Sequence, residues 1–349
     1  MHIIPEFEIL SEEPKKVGAF QLSLIDDETD DLIMEAEEMY FEMEFGKAKQ
    51  ILEKIIKQNP SYIDSYLILA DIARQENRIG DDEAILNRGI EYYKSGIPSD
   101  FDGEIPWGFN DNRPFLRLLH EQVLTFDQND NQEKAIRIAE YILKCNPNDN
   151  QGIRYLIGDL YIKNGQLEEA VGYLKKSADQ YPPNRYSYAL VLAKQNKRWD
   201  AITQFRLGFL ENIYVAEMLR LKSPMVPYNV FEATNFNGID VAGDYYMMMG
   251  NYWFNEIEPL QLLDYIFTHP AVTTEINEVF SLLNELNNLP VSEDFIGAFN
   301  NFDSDVTVEQ INTEAREEIL KEIDKIKRKI HTSSSKKILR DFDNYFSDD

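Results

Sequence analysis

Four histidines, one cysteine and 62 acidic residues are the raw material for catalysis or metal binding in this 349-residue chain, and their spacing argues against both. His2, His120, His269 and His331 are isolated, with no two standing four apart. No helix can therefore present paired imidazoles with an intervening glutamate as a zinc site. A serine or cysteine nucleophile needs a base beside it, and no spacing nominates one. Cys145 is alone, which excludes an internal disulfide and a cysteine-rich zinc site and fits a reducing compartment. Neither glycine-rich phosphate cradle, Gly-x-x-x-x-Gly-Lys-Ser/Thr or Gly-x-Gly-x-x-Gly after a strand, occurs. Two acidic stretches carry the right atoms for a divalent cation. Asp26–Asp31 reads better as a solvated segment whose last members favour the following helix N-terminus through its dipole. Asp127–Asn131 lacks the central glycine and closing glutamate of a calcium loop and reads as an inter-helix turn. The expectation is a protein that is not an enzyme, with no catalytic residue, no metal and no cofactor.

Binding surfaces need elements to carry them, and those elements are legible as repeats. Lys47–Pro60 (KAKQILEKIIKQNP), Gln132–Pro147 (QEKAIRIAEYILKCNP) and Gln166–Pro182 (QLEEAVGYLKKSADQYP) share one pattern. Each places an alanine (Ala48, Ala135, Ala170) twelve residues before a proline, with apolar residues between at helical spacing. The proline cannot continue a helical hydrogen-bond ladder and restricts its predecessor, so it closes the helix. Upstream of each lies a second amphipathic stretch. In the clearest pair, Tyr155, Leu156, Gly158 and Tyr161 precede an Asn164-Gly165 turn and a second helix from Leu167. Small residues such as Gly158 and Ala170 let two antiparallel helices approach closely.

This pattern resembles the tetratricopeptide repeat, a helix–turn–helix unit of about 34 residues with small residues in both helices and a closing proline. The likeness is closest in Asn148–Pro182 and extends to Asp31–Pro60 (Ala36, Ala48), Ser61–Lys94 (Ala70, Ala73, Ala84), Arg113–Pro147 and Asn184–Asn212 (Ala189, Ala201, Phe205). The chain also resembles bacterial tetratricopeptide proteins of unassigned role and, more distantly, the suppressor of tumorigenicity 7 family, which implies no activity. The expected fold class is all-α: an α-solenoid of about five such hairpins with a helical C-terminal cap. Expected boundaries are an N-terminal extension over 1–30, the repeat array over 31–212 with an insert loop at 96–114, a cap region over 213–303, and a charged C-terminal helix and tail over 304–349.

In arrays of this type the first helix of each hairpin lines a concave groove. Ile33, Glu37, His120, Leu124, Tyr155, Asp159, Tyr186 and Leu190 occupy those positions. The lysine and asparagine with which chaperone-binding members hold a terminal carboxylate are missing, so an apolar or basic peptide is the better guest. Tyr155, Asp159, Tyr186 and His120 are the candidate partner-binding residues, with packing between hairpins the competing role for the two tyrosines. The 96–114 loop is too rich in Gly, Pro and Asp for a helix, and long loops in compact arrays are disproportionately functional. It adds Trp107, flanked by Phe101 and Phe109, and Arg113, which has Asp111 or groove carboxylates to pair with.

The formal net charge is −27. That repels nucleic acid and anionic lipid from the molecule as a whole and steers basic partners toward it. Lys321, Lys325, Lys327, Arg328, Lys329, Lys336, Lys337 and Arg340 reverse the balance locally, making Lys325, Arg328 and Lys329 candidate docking residues. Three readings stay open for this helix: a solvated helix stabilised by Glu–Lys pairs, a helix docked on an acidic body, and a nucleic-acid or membrane contact. The commitment is to a protruding helix. Met1–Leu10 lacks a basic segment and does not read as a signal peptide, and no apolar run is long enough to span a membrane. The expectation is a cytoplasmic, non-catalytic adaptor for a protein or peptide. The alternative is a sensor whose groove ligand repositions the C-terminal helix, and an enzyme assembled from separated repeats ranks last.

Overall fold

Residues 4–22, 27–78, 80–221, 238–289, 306–330 and 334–347 are described by the computed structural model. Four helical hairpins and, between the third and the fourth, one further pair of consecutive helices follow one another in the sequence. They are α1 (Asp27–Phe41) with α2 (Phe45–Gln58), α3 (Ile63–Gln75) with α4 (Asp81–Gly96), α5 (Arg113–Gln128) with α6 (Gln132–Cys145), α7 (Ile153–Lys163) then α8 (Leu167–Ser177), and α9 (Pro182–Lys194) with α10 (Arg198–Glu211). The fold class is thus an all-α helical-repeat array. The chain divides into two compact units, 1–165 and 166–349.

Each pair turns on one left-handed residue: Met43, Asn77, Asp130, Gly165 and Asn196, with φ of 61°, 53°, 55°, 75° and 58°. In four of them the next amide reaches back five residues, from Glu44 to Met39, Arg78 to Ala73, Asn131 to Phe126 and Lys197 to Leu192. This is the Schellman closure, which satisfies carbonyls left over at a helix end. Asn, Asp and Gly tolerate the left-handed region, whereas Met43 does so at a cost. Closing asparagines Asn59 and Asn146 are extended (φ −134° and −126°), as a residue before proline must be. Pro182 differs from the expectation, because it opens α9 instead of closing α8.

Ala36, Ala48, Ala70, Ala73, Ala135, Ala170, Ala189 and Ala201 are all fully buried, as the repeat pattern requires. Ala84 is not. It is exposed, because α4 turns Asp82, Leu86 and Gly89 inward, and Gly89 makes the close approach. A Cβ there would stand 2.9 Å from Leu118 and 3.2 Å from the Tyr66 ring.

The first unit also contains a two-stranded hairpin that the reading of 1–30 as an extension missed. β1 (Glu6–Ser11) pairs antiparallel with β2 (Val17–Gln21), Phe7 opposite Phe20. The 96–114 insert clamps it. Gly18 N–H donates to the Glu104 carbonyl (2.9 Å), and Glu104 N–H donates to that of Lys16 (2.8 Å). Asn112, fully buried, accepts from the Phe20 amide (3.0 Å) and donates to the carbonyls of Gly18 (3.2 Å) and Pro106 (3.0 Å). Phe20 sits edge-on among Phe7, Tyr93 and Phe115. A Cβ at Gly18 would fall 2.2 Å from the tip of the Phe7 ring, so any larger residue there would push that ring off its place.

In the second unit α10 is the central element. It packs against α9, α11 (Ile213–Leu219), α13 (Ile257–Thr268), α14 (Pro270–Asn287), α15 (Val306–Ile330) and α16 (Ser334–Ser347), while α12 (Ile239–Phe254) covers α11. Ala201, Ile202, Phe205, Leu207, Phe209 and Leu210 surround the α10 axis, and a helix apolar on all sides must be enclosed. The protruding C-terminal helix is therefore corrected. Ile319, Ile323 and Ile330 of α15 and Ile338 and Phe342 of α16 are buried, because the apolar face found its partner within the same unit.

Candidate functional site

The first helices of the first unit are joined edge to edge by polar rungs. Tyr40 of α1 donates to Asp71 of α3, and Gln75 donates to both at 2.7 Å. Arg74 of α3 reaches Glu121 (2.9 Å) and Thr125 (3.3 Å) of α5. Arg117 returns to Asp64 at 3.1 Å. Lys163 of α7 closes the row on Asp127 at 2.6 and 2.9 Å. The Asp127 stretch was read as a turn rather than a calcium loop, and its carboxylate serves as a lysine partner. Among the described residues no group of three or more histidines, cysteines or acids is placed to hold a metal.

Carboxylates dominate the start of this face. Half-buried Tyr62 has its hydroxyl pKa pushed up, first by burial and then by the charges of Asp64, Glu37 and Asp30. Three carboxylates from two helices thus act on one aromatic ring, while Glu37 remains exposed. Nothing in the local sequence marked Tyr62, since the convergence depends on α1 lying beside α3.

Farther along, His120 is half-buried on α5. Burial pulls its pKa down, against the opposing pull of Glu121 and Asp149, so the ring is neutral at pH 7. Tyr155 is half-buried under the Arg154 guanidinium, 4.2 Å from its ring centroid, and its hydroxyl accepts from Arg154 at 2.7 Å. The arginine is itself held by Asp149 (2.9 Å). Asp149 also caps α7, accepting from the amides of Ile153 (2.8 Å) and Arg154 (2.9 Å). Asp149 stands three residues before the N-cap position Gly152, outside the usual N-cap spacing, and the sequence reading missed it.

Asp159 and Tyr186, placed at the groove by spacing, are fully buried and offer no surface. The Tyr186 hydroxyl donates to the Asn212 carbonyl (2.6 Å), and its ring lies against Gly208. Spacing along one helix names a face, but a neighbouring helix decides whether solvent reaches it.

The insert residues face each other. Arg113 donates from Nε to the Trp107 carbonyl (3.1 Å), with its guanidinium 5.5 Å from the half-buried indole centroid. Arg113 does not pair with Asp111, whose carboxylate instead accepts from the Leu22 amide (3.0 Å). The Trp107 amide donates to Asn146 (3.2 Å). Phe101 packs on Phe7, and Phe109 stays exposed. Cys145, whose carbonyl holds the Ile105 amide, is buried, and burial pushes its thiol pKa up to about 12.

In the second unit Lys325 pairs with Glu322 on its own helix (3.0 Å), and Arg328 and Lys329 are exposed. The lysine that docks is Lys327, which reaches Glu211 of α10 (3.4 Å). Glu211 also holds buried Arg185, and Glu275 holds fully buried Arg206. Arg206 and Thr203 both donate to the buried Ser335 hydroxyl of α16, at 2.8 and 3.0 Å. Burial works against the Arg185 charge, but Glu211 and Asp179 outweigh it and its pKa rises.

Residues 26–223 match the sequence pattern of a family described as transcriptional repressor TCF25. The chain belongs to this family. The matched span takes in all five helix pairs and α11, and α12 to α16 lie beyond it. No curated protein matches the chain. Membership in the transcriptional repressor TCF25 family overturns the cytoplasmic expectation, because repressing transcription implies a nuclear setting. A single reduced cysteine suits the nucleus as well as the cytoplasm, so composition had no power to separate them. The family description names a regulatory activity and not an enzymatic one. No described helix is long and apolar enough to cross a membrane.

Proposed function

We propose that this member of the repressor family is a non-catalytic scaffold that holds protein partners, gripping a basic or apolar peptide along the first-helix face of 27–163. Its hairpins act in this reading as tetratricopeptide-type units. The observation that carries it is the convergence of Asp30, Glu37 and Asp64 on Tyr62, a negative, aromatic-floored place on the first two hairpins. Half-buried Tyr155 under Arg154 extends the face with a second ring. Aromatic anchors beside the exposed carboxylates of Asp30 and Glu37, with Asp64 shared with Arg117, suit a peptide with lysine or arginine next to an apolar side chain.

The test is a reporter assay with the full chain tethered upstream of a promoter by a foreign DNA-binding domain. The native chain lowers reporter output several-fold. Glu37→Lys, an exposed change that leaves the fold intact, and Tyr155→Ala each restore it. Repression undiminished in both variants, at equal protein levels, overturns the groove reading.

A further inference from the structure

Lys325–Arg340 holds seven of the chain's 35 basic residues and no acidic one, within a protein of net charge −27. The fold decides where those charges point. At about 100° per residue, Lys321, Lys325, Arg328 and Lys329 fall opposite the buried Ile319, Ile323 and Ile330 on α15. On α16, Lys336, Lys337 and Arg340 likewise fall opposite the buried Ile338 and Phe342. Lys325, Arg328, Lys329, Lys336, Lys337 and Arg340 are all exposed, Lys325 with Glu322 as a surface partner on its own helix, and Lys327, on the inward side, reaches Glu211. Ile330 and Ser334 stand four Cα steps apart, at most about 14 Å, and the two helices pack against each other. The basic end of α15 and the basic start of α16 therefore form one corner. Among the neighbouring carboxylates Glu275 turns to Arg206, Glu211 to Arg185, Asp343 to Arg198 and Asp341 to His269, while exposed Glu322 and Asp324 stay beside Lys325 on α15. Trp199, partly exposed, borders the corner with the Lys336 ammonium 5.3 Å from its ring centroid.

Helix stability does not account for this placement. Cations near the C-terminus of α15 are favoured by its dipole, but Lys336 and Lys337 sit in the first turn of α16, where positive charge is disfavoured. A cost carried at an exposed position points outward, to a ligand.

We propose that this corner docks on the phosphate backbone of duplex DNA, a contact that positions the repressor without reading sequence. The assignment to DNA over other polyanions rests on the nuclear repressor reading above, while the polyanion chemistry rests on the charges alone. At about 0.15 M salt the Debye length is about 8 Å, so carboxylates on more distant parts of the molecule repel weakly. Docking of this kind releases counterions, and each phosphate neutralised contributes about −0.9 to the slope of log K against log salt.

The test uses the purified full chain and a fluorescent 30-base-pair duplex, titrated by anisotropy across a salt series. Binding is expected with a slope of about −4, for four to five phosphate contacts. The variant R328E/K337E/R340E is expected to lose binding at least tenfold and to flatten the slope by about 3 units. The variant K57E/K144E/K175E, with the same charge change on exposed lysines elsewhere, is expected to bind nearly as the native chain does. Equal losses in both triple variants overturn the corner, as does undetectable binding at low salt. Tighter binding of a poly-glutamate peptide or an RNA duplex than of DNA overturns the assigned ligand. Failure here leaves the tethered reporter assay untouched, because a foreign domain supplies the DNA contact there, so the two readings fail separately.

Discussion

The two units hold their helices together by different electrostatic means. In the first unit most joining pairs lie at the rim, as with Arg74 and Glu121, each about a quarter exposed, Lys163 with Asp127 being more enclosed. In the second unit the cations lie inside: Arg206 is 1% exposed and Arg185 7%. A half-exposed pair contributes about 0.5–1 kcal/mol, whereas removing one partner of a buried pair costs about 3–5 kcal/mol. The rim pairs tune a stack whose hairpins already bury their apolar faces by repetition. The buried arginines fix elements that arrive from far along the chain, Ser335 standing 129 residues from Arg206. Local repetition needs little specification, and long-range docking needs a unique address.

The sharpest way to break this comparison is to remove one arginine from each unit. Arg206→Ala is expected to destabilise the second unit by about 3 kcal/mol, leaving Glu275 without its donor and Ser335 with Thr203 alone. Arg74→Ala is expected to cost under about 1 kcal/mol. Urea unfolding followed by hydrogen exchange resolves the two units, and equal losses would erase the distinction. The double replacement Arg206→Met with Glu275→Leu sharpens it. Recovery of most of the lost stability would show that the pair supplies address rather than strength.

Asn112→Ala tests a place where the first unit uses a buried polar address of its own. It strands the Phe20 amide and takes one donor from each of the Gly18 and Pro106 carbonyls, for an expected loss of about 2 kcal/mol. Faster exchange of the Phe20 amide with unchanged α5–α6 protection is the expected signature. Uniform loss across the unit would mean that hairpin and helices unfold together.

The smallest effect belongs to the turns. Met43 is the one apolar residue among the five left-handed turn positions. Met43→Gly is expected to stabilise the first unit by about 0.5–1 kcal/mol, read as a small rise in midpoint. The same change at Asn196, whose side chain tolerates that region, is expected to give less.

Much of the array was legible because its causes are local. The Ala-to-Pro interval, the Asn-Gly turn and the spacing of Ile51, Leu52, Ile55 and Ile56 each act within one or two helical turns. The β-hairpin was missed although Glu6-Phe7-Glu8-Ile9 alternates at period two, since its partner strand holds Gly18 and Ala19, which carry little strand signal. Ala84 misled because an insertion shifted the inward face of α4 onto Asp82 and Gly89. Trp107 and Arg113 stood out in the sequence, but nothing local told of their mutual contact, Arg113 opening α5, or of the Trp107 amide's bond to Asn146 at the end of α6.

The sequence by itself determined the helices, their turns and the small residues at their crossings, because backbone preference and apolar periodicity are properties of neighbours in the chain. It also determined the charge reversal at the C-terminal end. Only the tertiary structure decided which charges are spent and which are shown. Asp159 and Tyr186 disappeared into the interior, Lys327 turned inward to Glu211, and Arg328, Lys337 and Arg340 were left facing solvent. Burial is a property of what packs from elsewhere, and no spacing along a single helix contains it.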